Sequence, residues 1–141
     1  MENNKNIKRE NNEILIQHKT EVQKSSVHGL GVFAKEDIKQ GEVIEECHFM
    51  SLSPPMYNRI KRWPIIRYVF HYPKGLEGEE LAWPFGNGCI YNSSSNPNAD
   101  WNTDINNRLF VFIAIKDIKK GEEIYTNYEQ SIKWCKQQNL I

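Results

Sequence analysis

The sequence predicts a mainly β fold made of several short sheets, and two observations support this. From Glu13 onward, short segments rich in Val, Ile, Phe and Tyr are separated by Gly, Asn, Pro and Lys, which is the pattern of strands and turns. One strand-turn-strand segment also occurs twice. At 141 residues the chain has room for one compact domain. We expect this domain over residues 13–141, after a disordered, asparagine-rich tail at residues 1–12.

The predicted strands are short, and turn residues separate them. Helical character is confined to two stretches, Met56–Tyr68 and Ser131–Asn139. Pro64 must kink or shorten the first helix, because proline lacks the backbone donor that a helix interior needs. The predicted strands are Glu21–Ser25, Gly31–Lys35, Glu42–Cys47, Asp100–Thr103, Leu109–Ile115 and Glu122–Tyr125.

The repeated segment occurs at an offset of 80 residues. Ala34–Ile44 and Ala114–Ile124 are identical at seven of eleven positions. In each copy an apolar strand leads into a turn with Asp and Lys, a glycine adopts the unusual φ angle, and Glu-x-Ile begins the next strand. We therefore predict two similar β-turn units related by a pseudo-twofold axis, with an insert and a site between them. Two copies are too few for a solenoid.

The chain carries no charge surplus, since 18 Lys and Arg residues balance 18 Asp and Glu residues. This balance argues against binding driven by phosphate charge, so we expect no direct contact with nucleic acid or a membrane. No apolar run approaches the roughly 18–20 residues that a membrane span needs. Residues 1–13 are polar and lack the apolar middle of a secretory signal. We therefore expect a cytoplasmic or nuclear protein that is not secreted.

The cysteines and histidines lack the spacing of a metal site. None of the three cysteines belongs to a CxxC pair, and none of the four histidines belongs to an HExxH motif. The sequence therefore predicts neither a disulfide framework nor a bound metal. A metal held by Cys47, His48 and Cys89 is the alternative, and we favour buried thiols and hydrogen-bonded histidines over it.

Three segments are candidate sites. His28–Phe33 has paired glycines that let the backbone approach a ligand, but a strand follows them, which argues against a phosphate loop. Gly88–Ala99 holds Asn92 and Asn98, whose side chains can lock a loop through hydrogen bonds to the backbone. Its serines lie in no GxSxG motif, so serine hydrolysis is a poor interpretation. Gly121–Tyr128 ends in a tyrosine that can present its hydroxyl to a pocket.

In this order, the three segments resemble the SET-domain family of protein-lysine methyltransferases. The family's Gly-x-Gly strand is similar to Gly29–Phe33, its Asn-His-Ser-Cys-x-Pro-Asn signature to Asn92–Asn98, and its Gly-Glu-Glu-Leu-x-x-x-Tyr ending to Gly121–Tyr128. The likeness covers about residues 20–136, with an unmatched insert at about 53–87. The chain resembles the minimal bacterial and viral members, and a viral origin would imply the host nucleus. The resemblance implies a SET-domain β-clip with a knot-like C-terminal threading, a short insert helix and a C-terminal helix.

The resemblance also implies a methyl donor, S-adenosylmethionine, and the residues that hold it. The backbone of Gly29–Gly31 would lie against the methionine part of the donor, and Asn92 would help to hold it. Tyr128 would be the catalytic residue, near the methyl group and the target amine. Trp134, in the C-terminal segment at residues 129–141, would cover the adenine. The implied cofactor-binding residues are Gly29, Leu30, Gly31, Tyr91, Asn92, Ser93, Tyr128 and Trp134.

The implied reaction transfers a methyl group to the side-chain amine of a lysine in a protein or peptide, with histones or histone-like proteins as the substrate class. Because this is an in-line displacement, alignment of the amine is the main catalytic contribution. An apolar channel would lower the pKa of that amine, which is about 10.4 when unperturbed. Aromatic residues that we expect in the core or along the channel are Tyr68, Phe70, Tyr72, Trp83, Phe85 and Tyr91.

The chain departs from the family pattern at a few positions. Ser93 replaces the signature histidine, and Thr126 lies where an aromatic residue is common, two positions before the tyrosine. Cys47 and His48 follow Glu42 where the family has Tyr-x-Gly. The insert also carries an acidic cluster that we interpret as a solvated loop rather than a docking site for basic peptides. The cluster is Glu77, Glu79 and Glu80.

Two further questions stay open at this point. The alternative function is a non-catalytic β-clip or SET-like module that binds a ligand or peptide without turnover. The repeat alone does not separate the two functions, whereas the loop at Asn92–Asn98 and Tyr128 favour the enzyme. A homodimer is possible, although no apolar stripe in the sequence predicts one.

Overall fold

The structure is a computed structural model, which describes residues 19–60, 62–64, 68–74 and 80–128. The predicted tail at residues 1–12, the predicted helix at Ser131–Asn139 and Trp134 lie outside the described residues. The knot-like threading of the C-terminal segment therefore stays a prediction. In the described part of the chain, no helix has the length and apolar character that crossing a bilayer requires.

Short strands dominate the described residues, and the prediction of a mainly β fold is confirmed. The elements are β1 (Thr20–Lys24), β2 (Leu30–Ala34), β3 (Val43–Cys47), β4 (Phe49–Leu52), α1 (Pro54–Ile60), β5 (Phe70–Tyr72), β6 (Glu80–Pro84), β7 (Asn92–Ser93), β8 (Ala99–Asp104), β9 (Leu109–Ala114) and β10 (Glu123–Thr126). The strands form three small sheets with the orders β1-β2-β10-β7, β3-β9-β8 and β4-β6-β5.

All six predicted strands are present, each with ends within two residues of those expected. Four strands were not predicted, namely β4, β5, β6 and β7. The predicted helix Met56–Tyr68 is shorter than expected, because α1 begins at Pro54 and ends at Ile60. Pro54 and Pro55 suit a first helical turn, where the backbone N–H has no intrahelical partner. The chain leaves the helix before Pro64, as the missing donor of that residue requires.

The two repeat copies contact each other reciprocally. Ile38 and Ile118 form an antiparallel bridge, with both N–H···O distances at 2.7 Å. The Asp37 carboxylate accepts a hydrogen bond from the backbone of the second copy, and Asp117 accepts one from the first, both at 2.9 Å. Gly41 and Gly121 have φ angles of 89° and 90°. The pseudo-twofold relation predicted from the repeat is therefore present.

An aromatic cluster joins the second and third sheets. Phe110 on β9 is at its centre. The Phe110 ring centroid lies 5.3 Å from those of Phe49, Phe70 and Tyr72, and 5.2 Å from that of Trp101. Such aromatic pairs add about 0.5–1.5 kcal/mol each beyond the burial of their surface. The same hydrophobic core includes Val32, Ala34 and Ile124 of the first sheet, which carries the candidate site.

Candidate functional site

The glycine pair lies at a tight hairpin between β1 and β2. The Ser25 N–H donates to the Gly29 carbonyl at 2.8 Å, and Gly29 has a φ of 48°, in the left-handed region. Gly31 lies over a carboxylate: a Cβ at this position would be 2.7 Å from Glu123 Oε1. The exposed side chain of Leu30 lies between the two glycines. The hairpin therefore presents backbone atoms at the surface, with a buried acid beneath Gly31.

Strand β10 brings the other two segments to this hairpin. It pairs antiparallel with β2, where Ile124 lies opposite Val32, and parallel with β7, where Tyr125 lies opposite Asn92. Segments from the beginning, middle and end of the described chain thus become neighbours in one sheet. The glycine pair and the Asn92 loop are therefore neighbours in the folded chain.

The Asn92 side chain lies where these strands meet. Its Nδ2 atom is 3.1 Å from the His28 and Leu30 carbonyl oxygens and 3.3 Å from Glu123 Oε2. An amide nitrogen has two hydrogens, so it cannot donate a full hydrogen bond to all three acceptors at once. We call these three oxygens the acceptor cradle. A group with more positive charge or more donors than an amide would suit it better.

Asn98 fixes β10 against the loop from the other side. Its Nδ2 donates to the Glu123 carbonyl at 2.9 Å, and its Oδ1 accepts from the Tyr125 N–H at 2.8 Å. The Ser94 N–H also donates to the Thr126 carbonyl at 2.8 Å. Asn92 and Asn98 thus lock the loop through side-chain hydrogen bonds to the backbone, as the sequence predicted.

Tyr128 lies two residues after the end of β10 and beside the same loop. Its backbone N–H donates to Ser93 Oγ at 3.1 Å. Burial, and then the neighbouring Cys89 and Tyr68, raise the pKa of the Tyr128 phenol to about 12. The Cys89 thiol donates to the Tyr68 carbonyl at 3.1 Å, so part of the insert packs next to the phenol. At neutral pH Tyr128 is a neutral phenol that can orient a partner but does not act as a phenolate base.

The Tyr91 ring belongs to the core. It is stacked on Phe112 with a centroid distance of 4.5 Å, and its hydroxyl donates to the Glu45 carboxylate. The Asn87 N–H donates to the same carboxylate at 3.4 Å, and burial raises the pKa of Glu45. Glu45 therefore ties both ends of the segment that precedes Asn92 to β3. Any contact of Tyr91 with a ligand would use its backbone.

The remaining aromatic candidates divide between core and surface. Phe70 and Tyr72 are buried, whereas Tyr68 and Phe85 are exposed to 48% and 53%. Trp83 is half-buried. Of these residues, the exposed Tyr68 and Phe85 are available to line a channel. Tyr68 is the better placed of the two, because it lies near the Tyr128 phenol.

The other residues singled out in the sequence have definite places or lie outside the described residues. Glu80 forms an ion pair with Arg108 at 2.7 Å, while Glu77 and Glu79 are not described. Thr126 is buried, and its hydroxyl has no hydrogen-bond partner among the residues that the structure describes. Within the same residues, no group of three or more His, Cys, Asp or Glu side chains could hold a metal ion.

Sequence reasoning missed the two buried acids of the site, Glu45 and Glu123. The repeat contained a signal for one of them. Glu123 occupies the position that Val43 occupies in the first copy, so an acid replaces an apolar residue at a strand position. Glu45 gave no comparable signal, because its partner Tyr91 is 46 residues away in sequence.

Comparison with known proteins identifies the family. A model of the SET domain matches residues 29–129. A histone-lysine N-methyltransferase of Schizosaccharomyces pombe, specific for H3 lysine-37, is 26% identical over 115 residues, covering 81% of this chain and 76% of the relative.

Solved structures agree with this assignment. A Plasmodium falciparum protein described as a candidate histone methyltransferase superposes with a TM-score of 0.66 at 32% identity, covering 80% of this chain and 95% of that one. Polycomb Repressive Complex 2 of Chaetomium thermophilum, bound to S-adenosylmethionine, gives 0.66 at 26% identity, covering 87% of this chain and 17% of that one. The glycine hairpin, the locked asparagine loop and the tyrosine that follows β10 are thus parts of one domain, and the chain belongs to the SET-domain family.

Proposed function

We propose that the protein transfers a methyl group from S-adenosylmethionine to the side-chain amine of a lysine in a protein. Histones or histone-like proteins are the proposed substrate class, because relatives of the chain are named as histone-lysine methyltransferases. One observation supports the proposal most strongly: β10 pairs with both β2 and β7, which brings the glycine pair, Asn92 and Tyr128 next to one another.

The residues present fit S-adenosylmethionine. The acceptor cradle around Asn92 suits a cationic group, and the methionine part of the donor carries an ammonium and a sulfonium. When bound, the donor supplies a methyl group on a positively charged sulfur, which an amine can accept by in-line displacement. We propose that the backbone of the glycine hairpin and of the Asn92 loop holds it. The proposed contacts are Gly29, Leu30, Gly31, Tyr91, Asn92, Ser93 and Tyr128, with Trp134 over the adenine.

In this mechanism the protein must present a neutral amine in line with the methyl group. A free lysine amine has a pKa of about 10.4, so most of it is protonated at neutral pH. Removal of the amine from water between Tyr68 and Tyr128, together with the positive charge on the donor's sulfur, disfavours the charged amine, which lowers that pKa and lets the amine release its proton to water. The Tyr128 hydroxyl, neutral because its pKa is raised to about 12, then orients the amine through a hydrogen bond. The Ser93 hydroxyl supports this orientation by holding the Tyr128 backbone.

The direct test is methyl transfer from labelled S-adenosylmethionine to histones or lysate proteins, together with calorimetric binding of the donor. We expect labelled protein with the wild type and at least about 100-fold less with Tyr128→Phe, which keeps the ring but removes the orienting hydroxyl. Donor affinity should change by less than about threefold in that variant. Tyr72→Phe is the matched control, because it removes a buried phenol that donates to the β8–β9 hairpin instead.

Two outcomes would contradict the proposal. Absence of both donor binding and labelled product would refute it altogether. Donor binding without transfer to any protein would favour the alternative, a SET-like module that binds without turnover, and the observation behind that alternative is Ser93 in place of the signature histidine.

A further inference from the structure

Glu123 is a buried carboxylate beneath the glycine hairpin. It is 8% exposed, and its Oε1 atom fills the space that the missing Gly31 side chain leaves open. In the first repeat copy Val43 takes this position and pairs with β9. The two copies of the repeat therefore differ at this position: Val43 is apolar in the first copy, and Glu123 is acidic in the second.

Among the described residues, the partners of this carboxylate are neutral. Its Oε2 accepts from the Asn92 amide at 3.3 Å, and the Tyr125 phenol, whose pKa is raised by burial and by Glu123, donates to it as well. Among the described residues, the cations in ion pairs are Lys19, Arg108 and Lys74, and their partners are other acids. Burying a carboxylate costs several kcal/mol when its partners are neutral, as they are in the described part of the chain, and a cationic ligand would supply the charge that balances it.

We propose that Glu123 supplies the negative charge that recognises a cationic group of the methyl donor, its ammonium or its sulfonium. Glu123 Oε2 and the His28 and Leu30 carbonyls converge on the one Asn92 nitrogen. This surplus of acceptors is the chemistry that a positively charged donor group satisfies. Glu123 is a binding residue in this proposal, which rests on the proposed function.

The test compares Glu123→Gln, which removes the charge and keeps the shape, with Glu122→Gln, the same change at the exposed neighbouring residue. Calorimetry measures the Kd of S-adenosylmethionine, of S-adenosylhomocysteine, which lacks the positive charge on sulfur, and of a desamino analogue of S-adenosylhomocysteine. We expect Glu123→Gln to raise the Kd of S-adenosylmethionine about 10- to 100-fold, and Glu122→Gln to change that Kd less than about twofold.

The three ligands identify which charge is recognised. If the carboxylate binds the ammonium, Glu123→Gln weakens the binding of S-adenosylmethionine and of S-adenosylhomocysteine equally, and the affinity for the desamino analogue is unchanged. If the carboxylate binds the sulfonium, Glu123→Gln weakens the binding of S-adenosylmethionine only. Wild-type affinity of the folded variant for both natural ligands overturns the proposal.

Stability in the absence of ligand separates this role from a structural one. A carboxylate kept buried for a ligand destabilises the empty protein, so Glu123→Gln and the apolar Glu123→Met should melt at or above the wild-type temperature while binding the donor more weakly. Glu123→Met also provides a second variant, since an apolar side chain of similar length suits a buried position. A lower melting temperature with unchanged affinity would indicate a structural role and overturn the proposal. A wild type that binds no donor would instead refute the proposed function.

Discussion

At the residue scale, single amide side chains hold the candidate site together. Asn98 makes a donor and an acceptor contact with consecutive peptide groups of β10, at 2.9 Å and 2.8 Å. Asn92 holds the glycine hairpin through its Nδ2 atom, which lies 3.1 Å from the His28 and Leu30 carbonyl oxygens. A side-chain amide carries a donor nitrogen and an acceptor oxygen a fixed distance apart, which lets Asn98 bridge two neighbouring peptide groups. The site therefore depends on amides at these two positions, whatever the rest of the loop contains.

Asn98→Asp should test this dependence, because it keeps the acceptor for Tyr125 and replaces the donor to the Glu123 carbonyl with a second oxygen. Two oxygens then face each other, and we expect a loss of about 1–3 kcal/mol in the free energy of unfolding. Chemical denaturation measures it. Asn96→Ala, an exposed change in the same loop, is the control and should stay within about 0.5 kcal/mol. Equal stability of Asn98→Asp and the wild type would show that the contact is dispensable.

The raised pKa of Tyr128 predicts the pH dependence of methyl transfer. Because this phenol stays neutral up to about pH 12, the rate below pH 10 should follow deprotonation of the substrate lysine and rise with pH. Tyr128→Phe should lower the rate at every pH without changing that slope. A break below pH 9 in the wild type that disappears in the variant would mean that the phenol ionises during the reaction.

At the element scale, the two repeat copies form a reciprocal lock. Each copy contributes an aspartate that accepts a backbone N–H of the other, and the bridge between Ile38 and Ile118 lies between these contacts. The turn that leaves β2 and the turn that leaves β9 are therefore fixed against each other. This fixes the direction from which β3 and β10 start.

Asp37→Ala and Asp117→Ala should destabilise the fold by similar amounts, about 0.5–1.5 kcal/mol each, because each removes one equivalent hydrogen bond. Thermal or denaturant unfolding of the two single variants and the double variant gives the coupling between them. Glu36→Ala, beside the first aspartate and exposed, is the control. A loss confined to one of the two aspartates would contradict the equivalence of the copies.

Strands with a clear local sequence pattern were predicted, whereas strands that depend on pairing with distant parts of the sequence were not. Residues Leu109–Ile115 and Glu42–Cys47 could be assigned because an apolar run between turn residues is a local signal. Strand β7 is two residues long, and its identity depends on pairing with β10, over 30 residues away. Strands β4, β5 and β6 likewise stabilise one another across the insert. No local pattern encodes such pairings.

The candidate site divides in the same way. Gly29, Asn92 and Tyr128 could be proposed because they belong to short motifs. Glu45 could not, since a glutamate beside other charged residues is expected at the surface, and the only signal for Glu123 was the apolar Val43 at its position in the first repeat copy. The motifs therefore indicated which segments meet, and the structure was needed to find the charges buried between them.

At the scale of the whole molecule, one buried histidine links stability to pH. His71 lies on β5 against Trp101, with ring centroids 5.5 Å apart. Burial, and then Lys74, lower the pKa of His71 from 6.5 to about 4. The folded state thus holds the neutral imidazole at a pH where the unfolded chain already binds a proton. Stability is full above pH 6.5 and is lost as the pH falls from 6.5 towards 4.

The expected loss over that window is about 3 kcal/mol in the free energy of unfolding. Denaturant unfolding at a series of pH values measures it. His71→Phe should flatten the curve between pH 4 and 6.5, whatever it does to stability at pH 7. Glu45 does not produce the same effect, because its raised pKa makes protonation favour the folded state. If His71→Phe loses stability between pH 6.5 and 4 as steeply as the wild type, other titratable groups cause that loss.

The position of β10 between β2 and β7 also has a consequence for biosynthesis. The ribosome releases Gly31 and Asn92 well before residues 123–126, yet those four residues are the ones that align the two earlier segments. Until they emerge from the exit tunnel, the nascent polypeptide has two unsatisfied strand edges and no complete pocket, and the long-range closure is entropically costly. We therefore expect the proposed methyl donor to bind only after β10 has been translated, and a product that ends before β10 not to bind it.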